Sequence, residues 1–454
     1  MATHSISWFE KGAFVLSLML LAFLYGFAAR WHGWVPNALL ERASEQLTGL
    51  YVAWTPGPAA RTGRVYDRSG VRTPDSGAVQ PGLTLLQSSW NGEDGWTPGV
   101  RLIDQDGTVL HEWTLDQETL FPNPPNGMGG VFAQRSLHGS HLFPNGDLLV
   151  NLQYIGTVRV DACGKVLWRA PIGSHHSIER AADGSFWVPG MSSGLRSATE
   201  RRPDGLPGLE TSLYLDRIVH LAADGTVLDS IDVLDILYAN DLERYLSKAS
   251  QPRAGTDDPE TKDLTHMNDV EPLPPSMAAD YPLFEAGDLL VSLRNLHLVL
   301  VVDPTSLEVK WHASAPFIQQ HDPDFIGDGW IGVFDNNEDF TARGTMLGGS
   351  RIVALQPHTD STTVRFPTSR SEPFYTDIRG KWQVLDNGNM LLTEGQAGRV
   401  VEVAPDGRTV WEWVHAPYST DNTVAVLQGT RYDLTAADVA SWPCSSADLA
   451  PSAP

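Results

Sequence analysis

The chain has 454 residues, of which 42% are hydrophobic and 19% charged: enough for a large core or several domains, and not a disordered composition. A formal net charge of −23 argues against long-range attraction to nucleic acid or anionic lipid headgroups, so any anionic ligand needs a local cluster of donors. The two cysteines, Cys163 and Cys444, lie in no CxxC pattern. They read as independent thiols or as a disulfide tying the C-terminal tail to the body, which requires an oxidising compartment.

In chain order, the first element is "AFVLSLMLLAFLYGFAA", 17 uncharged positions from Ala13 to Ala29 between Lys11 and Arg30. Its length suits a membrane anchor at the short end of the spanning range, and Gly26-Phe27-Ala28 also loosely fits a signal cleavage site. Residues 1–30 are therefore expected to be a signal anchor or signal peptide, and both readings place the rest outside the cytoplasm. Residues 31–79 follow as an amphipathic helix, "VPNALLERASEQLTGLYVAW", and a linker that includes "TPGPAARTG".

From about residue 80 two phrases alternate. The first is an apolar strand, a Gly turn with Asp or Asn, and a second apolar strand, as in "HLFPNGDLLVNLQ", "IERAADGSFWVPG", "DFIGDGWIGVFDNN" and "WQVLDNGNMLLTEGQ". The second ends near Trp, as in "RLIDQDGTVLHEW", "VRVDACGKVLWRA", "LVVDPTSLEVKWHA" and "VVEVAPDGRTVWEW". Asn-Gly and Asp-Gly between apolar runs are hairpin signals, and two hairpins make a four-stranded unit. Six such units in fixed order predict an all-β six-bladed β-propeller over residues 80–435, with 436–454 as a C-terminal tail. A stretch of helical periodicity from about Leu234 to Ser250, then the polar "SQPRAGTDDPETKD", reads as a long loop of the third or fourth blade.

Registering the repeats on their turn glycines, eight residues back from Gly146, Gly184 and Gly329 stand His138, His176 and His321. Matching "NDVEPL" to "HSIERA" sets Asn268 opposite His176, with His266 two residues before it, and the sixth blade has Gly380. Inner strands of a propeller converge on the axis, so these positions are expected to meet at one mouth of the channel. The bland alternative is that each histidine caps a strand end. His138, His141, His175 and His176 supply nitrogen ligands, but without Cys or a His-Glu-x-x-His helix no metal is expected, and no cofactor is demanded. Neither a Gly-x-Ser-x-Gly elbow nor a Walker lysine pattern is present. Arg294, in "LLVSLRN", closes an otherwise apolar strand. It is either a strand-end residue reaching solvent or an anion clamp whose planar fork suits an oxyanion.

In order, "SHHSI" from Ser174, "THMND" from Thr265, "SLRN" from Ser292 and "QHDPDFIGDGWIGVFDNN" from Gln320 resemble the arylsulfate sulfotransferases that work without a nucleotide donor. The resemblance covers roughly residues 80 to 420. It implies a periplasmic or secreted six-bladed propeller, with His321 as nucleophile through a transient sulfohistidine. His266, Asn268 and Arg294 would bind the sulfuryl oxygens, and one of His175 and His176, the latter by register, would join them or handle the phenol proton. His138 is suggested by spacing alone. The family's Phe-Asp-Asn-Gly reads Phe334-Asp335-Asn336-Asn337 here, and the insert between Asn268 and Gly287 changes the mouth.

The expected function is transfer of sulfuryl from an aryl sulfate donor to a phenolic acceptor, by a propeller held to the membrane through its N-terminal helix. The alternatives are a non-catalytic extracytoplasmic propeller that binds a protein or glycan, and an aryl sulfate hydrolase with water as acceptor.

Overall fold

The computed structural model describes residues 8–32, 61–92, 95–122, 136–209, 211–246 and 262–444. The expected amphipathic helix at 35–54 and most of the polar stretch after Ser250 lie outside the described residues.

Six antiparallel sheets form the blades of a propeller. From the inside outward, blade 2 is Leu137–Leu142, Leu148–Leu152, Gly156–Val160 and Val166–Ala170. Blades 3 to 5 repeat that order, with inner strands Glu179–Arg180, Met267–Pro272 and His321–Phe325. The ring is closed at both ends of the chain. Gln428–Tyr432, from the C-terminal side, is the innermost strand of blade 1, against Leu83–Gly92. Gly70–Arg72, from the N-terminal side, adds a fifth, outermost strand to blade 6, whose inner strand is Trp382–Val384. Arg61–Gly63 pairs with Asn422–Val424 on the connection between blades 6 and 1. Residues 61–63 and 70–72, read from sequence as linker, thus take part in the propeller, because short strands flanked by Pro and Gly carry no periodicity of their own.

Each blade is sandwiched between two others, so its second strand is buried on both faces. That is why Leu148–Leu152, Leu289–Leu293 and Met390–Glu394 are buried along their whole length, with no alternation of exposed positions. A separate apolar cluster fills each of the six blade interfaces. Val150, Val158 and Trp113 belong to the one between blades 1 and 2, and Leu86, Leu391 and Val400 to the one that closes the ring. The helical insert is observed as a helix at Val233–Ala239 between blades 3 and 4, with Val233, Leu234, Ile236 and Leu237 buried against them.

Cys163 and Cys444 form a disulfide across 281 residues of sequence, fastening the end of the described chain to the outer turn of blade 2. Trp442, beside it, packs on His111 and Trp113 and donates its indole N–H to the Pro144 carbonyl at 2.9 Å. At the other end, Trp8–His32 is a single helix, and its segment Lys11–Ala29 is long and apolar enough to cross a membrane or to serve as a signal sequence.

Candidate active site

The inner strands of all six blades begin at the same end of the channel. Their first residues enclose a small, open-mouthed cavity of about 20 Å³ lined by His138, His176, Asn268, His321, Gly380 and Gln428, among others. The equivalence of these positions follows from hairpin geometry: a fixed turn and a fixed strand length return each chain to the same height. His138 and His176 have ring centroids 3.9 Å apart, and His176 lies 5.1 Å from His266 and 6.1 Å from His321. His175 is placed behind His176, fully buried and off the cavity wall. Gly139 lets blades 2 and 3 meet here: its φ is +95°, and a Cβ would stand 1.6 Å from the His176 carbonyl oxygen.

The stretch from Gln319 to Asn337 shows why His321 at the head of one strand needs Asn336 beyond the end of the next. The hairpin pairs His321 with Phe334, bringing Asn336 alongside the imidazole. Asn336 donates its amide hydrogens to the carbonyls of Thr376 at 2.9 Å and Arg379 at 2.6 Å, which fixes its Oδ1 as an acceptor. His321 Nδ1 lies 2.6 Å from that oxygen and 3.1 Å from the Gln319 carbonyl. Both partners can only accept, so Nδ1 carries the hydrogen and Nε2 keeps its lone pair. Asp335 meanwhile accepts from the Ile318 and Asn337 amides and pairs with Arg351, and Asn337 holds the following loop through the carbonyls of Leu347 and Gly349.

Asp322, the neighbour of His321, does not orient its imidazole. Its carboxylate contacts Lys381 Nζ and accepts from the Trp382 amide at 2.7 Å, and its carbonyl accepts from the Trp382 indole at 2.8 Å. It clamps blade 5 to blade 6.

The remaining polar groups are a mixture of donors, imidazoles and the carboxylates of Asp263 and Asp216. Asn268 donates an amide hydrogen to the Gln320 carbonyl at 2.8 Å, and its Oδ1 is buried with no hydrogen-bond partner among the described residues. Arg294 Nε and His138 Nδ1 are buried with no hydrogen-bond partner among the described residues. His266 is held by Asp263 at 2.5 Å through Nδ1. Arg379 donates to Gln396 at 2.7 Å, and burial lowers its pKa to about 10, with Asp377 opposing and Arg294 adding to the effect. Burial also lowers the pKa of Arg294.

Burial holds His138, His176 and His321 well below the ordinary histidine range, helped by Arg379 for His138, by His138 for His176 and by Arg294 for His321. All three are neutral near pH 7. Their environment is one that an anion would relieve. Backbone strain gathers at the same place: Gln319, Asp322, His176, His266 and Arg379 all have φ between 47° and 65°, which side-chain-bearing residues seldom adopt. Among the described residues no group of three or more His, Cys, Asp or Glu is arranged to hold a metal ion.

Asn336, Arg379, Asp263 and Asp216 were not singled out from the sequence. For Asn336 the signal was present in "FDNN" at a hairpin's length from His321. For the others no local pattern exists.

Residues 141–416 match the family model described as Arylsulfotransferase (ASST), which is more than half of the chain. The chain belongs to the arylsulfotransferase family. No curated protein matches the sequence. Solved structures similar to it include a protein of unknown function from Bacteroides caccae, at 15% identity and a TM-score of 0.45, covering 74% of this chain and 94% of that one. Another is virginiamycin B lyase from Staphylococcus aureus, at 10% identity and a TM-score of 0.37, covering 82% and 91%.

Proposed function

We propose that the protein moves a sulfuryl group from an aryl sulfate ester to a phenol in two steps through His321. The observation that carries this reading is the His321 tautomer, with Nδ1–H tied to Asn336 and Gln319 and the Nε2 lone pair left free at the cavity, within the electrostatic reach of Arg294.

In the first step Nε2 bonds to sulfur as the ester S–O bond breaks and its electron pair leaves with the phenol oxygen. The product is a sulfohistidine that retains Nδ1–H. In the second step the oxygen of an acceptor phenol takes the sulfuryl group, and the electron pair of the N–S bond returns to Nε2. Splitting the transfer in this way gives ping-pong kinetics. Sulfuryl transfer, like phosphoryl transfer, passes through a loose transition state whose charge sits on peripheral oxygens, so fixed donors matter most. Arg294, His266, Asn268 and His138 are assigned that role, and His176 is assigned the proton of the phenol. Arg379, at the rim, adds positive potential.

The N-terminal helix and the Cys163–Cys444 disulfide support a propeller anchored at a membrane and lying in the periplasm or extracellular space.

The test is phenol release from 4-nitrophenyl sulfate with and without a second phenol, for the unaltered protein and His321→Ala. Turnover is expected to rise with acceptor and to fall roughly 10⁴-fold or more in the variant. Acceptor-independent turnover would mean hydrolysis instead. No release from a panel of aryl sulfates would overturn the reading.

A further inference from the structure

Behind the cavity wall lies a chain of buried polar side chains that sulfuryl binding does not use. His176 Nδ1 is 2.7 Å from His175 Nδ1. Two ring nitrogens at that distance share one hydrogen, so one ring must donate and the other accept. On its far side His175 Nε2 faces Asp216 Oδ1 at 3.4 Å as a charge-pair contact, and neither atom makes a hydrogen bond among the described residues. Both side chains are wholly buried. Asp216 is itself anchored, its Oδ2 accepting from Thr265 Oγ1 at 2.5 Å and from the Met267 amide at 2.7 Å. His266 has a separate carboxylate, Asp263, and is not part of this chain.

We propose that Asp216, His175 and His176 form a proton store that alternates with His321: it protonates the departing phenoxide and takes the proton of the incoming phenol. This rests on His321 carrying the sulfuryl group. In the loaded state His175 holds both ring hydrogens, giving Nε2–H to Asp216 and Nδ1–H to His176, whose own hydrogen is on Nε2 at the cavity. When the ester S–O bond breaks, His176 Nε2–H passes to the phenoxide oxygen and the shared hydrogen moves from His175 Nδ1 to His176 Nδ1. Both rings are then neutral, and His176 Nε2 has a lone pair for the acceptor's hydrogen. The second half-reaction runs the shift backwards, so the protein gains and loses no proton over a full cycle.

The geometry has two merits. His176 never becomes a cation, which its burial and the histidines around it would oppose. The positive charge stays on His175, which has a carboxylate to pair with. His175 and Asp216 are positioning residues that act through His176.

The experiment compares two donors in the full chain, with one saturating acceptor. 4-Nitrophenoxide departs without help, whereas phenoxide from phenyl sulfate needs a proton. In His175→Phe and Asp216→Asn, kcat/KM for phenyl sulfate is expected to fall roughly 100-fold, the size of a general-acid contribution. The loss with 4-nitrophenyl sulfate should be at least about tenfold smaller, following the weaker demand for a proton. His175→Gln, which restores a hydrogen-bonding group but no relay, should keep the difference between donors. Equal losses with both donors in all folded variants would mean that the chain is only structural and would overturn the store. Absence of turnover of either donor by the unaltered protein would instead sink the transfer reading, and the store with it. Circular dichroism checks folding, and should Asp216→Asn unfold through loss of its hold on Thr265 and Met267, the two His175 variants decide.

Discussion

The channel has two polar layers that differ in how their charges are met. At the upper layer, where the inner strands begin, Arg294, Arg379 and the cavity histidines lie together, and Asp263 and Asp216 pair with His266 and His175 while Arg294 Nε has no hydrogen-bond partner among the described residues. One residue deeper, Lys381 touches Asp322 and lies 3.3 Å from Glu179 and 3.9 Å from Asp269. Burial opposes the charge on Lys381, yet Asp322, Glu179, Asp269 and Asp324 together raise its pKa well above the ordinary lysine value. The deeper layer holds its own counter-charge, and it ties blades 3, 4, 5 and 6 together. The upper one leaves the Arg294 Nε–H without a hydrogen-bond partner among the described residues. Unmet donors in a buried site cost free energy, and a fold keeps them where a ligand supplies what is missing. Lys381 and Gln428 line both the upper cavity and a second, open one of about 400 Å³ at the other end, so the paired layer also divides the channel.

The contrast is broken most severely at Lys381. Lys381→Met would leave Asp322, Glu179 and Asp269 without their cation, and breaking a buried pair in this way costs about 3–5 kcal/mol. Denaturant unfolding should show that loss, and activity should fall with it. An unfolding midpoint that stays put would show that the deeper layer does not hold the blades.

Arg294→Ala should do the opposite. Removing a half-buried guanidinium whose Nε has no hydrogen-bond partner among the described residues is expected to leave the unfolding midpoint unchanged or slightly raised. Losing one donor to the sulfuryl oxygens should lower kcat about 10²–10³-fold. Steady-state kinetics and unfolding of the same preparation separate the two quantities. A variant that loses stability and keeps its rate would place Arg294 in the scaffold.

The six blades were legible because each repeat carries its own turn glycine, and the eight-residue offset to His138, His176 and His321 is a strand length measured from that turn. Ring closure was harder to read, since it joins Gln428–Tyr432 to Leu83–Gly92 with no local cue. The same holds for the disulfide across 281 residues. Within the site, the histidines stand on inner strands and inherit the repeat. The groups that hold them do not: Asn336 comes from the end of a second strand, Asp263 from a connection, and Asp216 from the third strand of blade 3. A repeat predicts positions that every blade shares, whereas these partners are particular to one blade. Asp322 shows the same limit, since its adjacency to His321 says nothing of Lys381 and Trp382, its partners in blade 6.

The smallest effect distinguishes the layers by pH. His138 is half-buried in the cavity wall and its pKa lies well below the ordinary value, with burial first and Arg379 second among the causes. The unfolded chain therefore takes up a proton at this residue as pH falls through about 6.5 while the folded chain does not, so stability is lost on the acid side of that value. Asp269, Glu271 and Asp324 in the deeper layer act in the other direction. Burial raises each well above its ordinary value, with Lys381 opposing for Asp269, Glu179 adding for Glu271 and Asp322 adding for Asp324. They keep their protons folded where the unfolded chain has lost them, so their contribution is full below about pH 4 and is lost as pH rises above it. Between roughly pH 4 and 6.5 the two layers offset one another. His138→Gln removes one histidine from this balance, and should make the slope of unfolding free energy against pH in that window less positive by up to about 1.4 kcal/mol per pH unit. Urea unfolding at pH 5.0, 6.0 and 7.0 reads the slope directly. An unaltered slope would mean that His138 is protonated in the folded protein, and the upper layer would then carry one more fixed positive charge toward its anion.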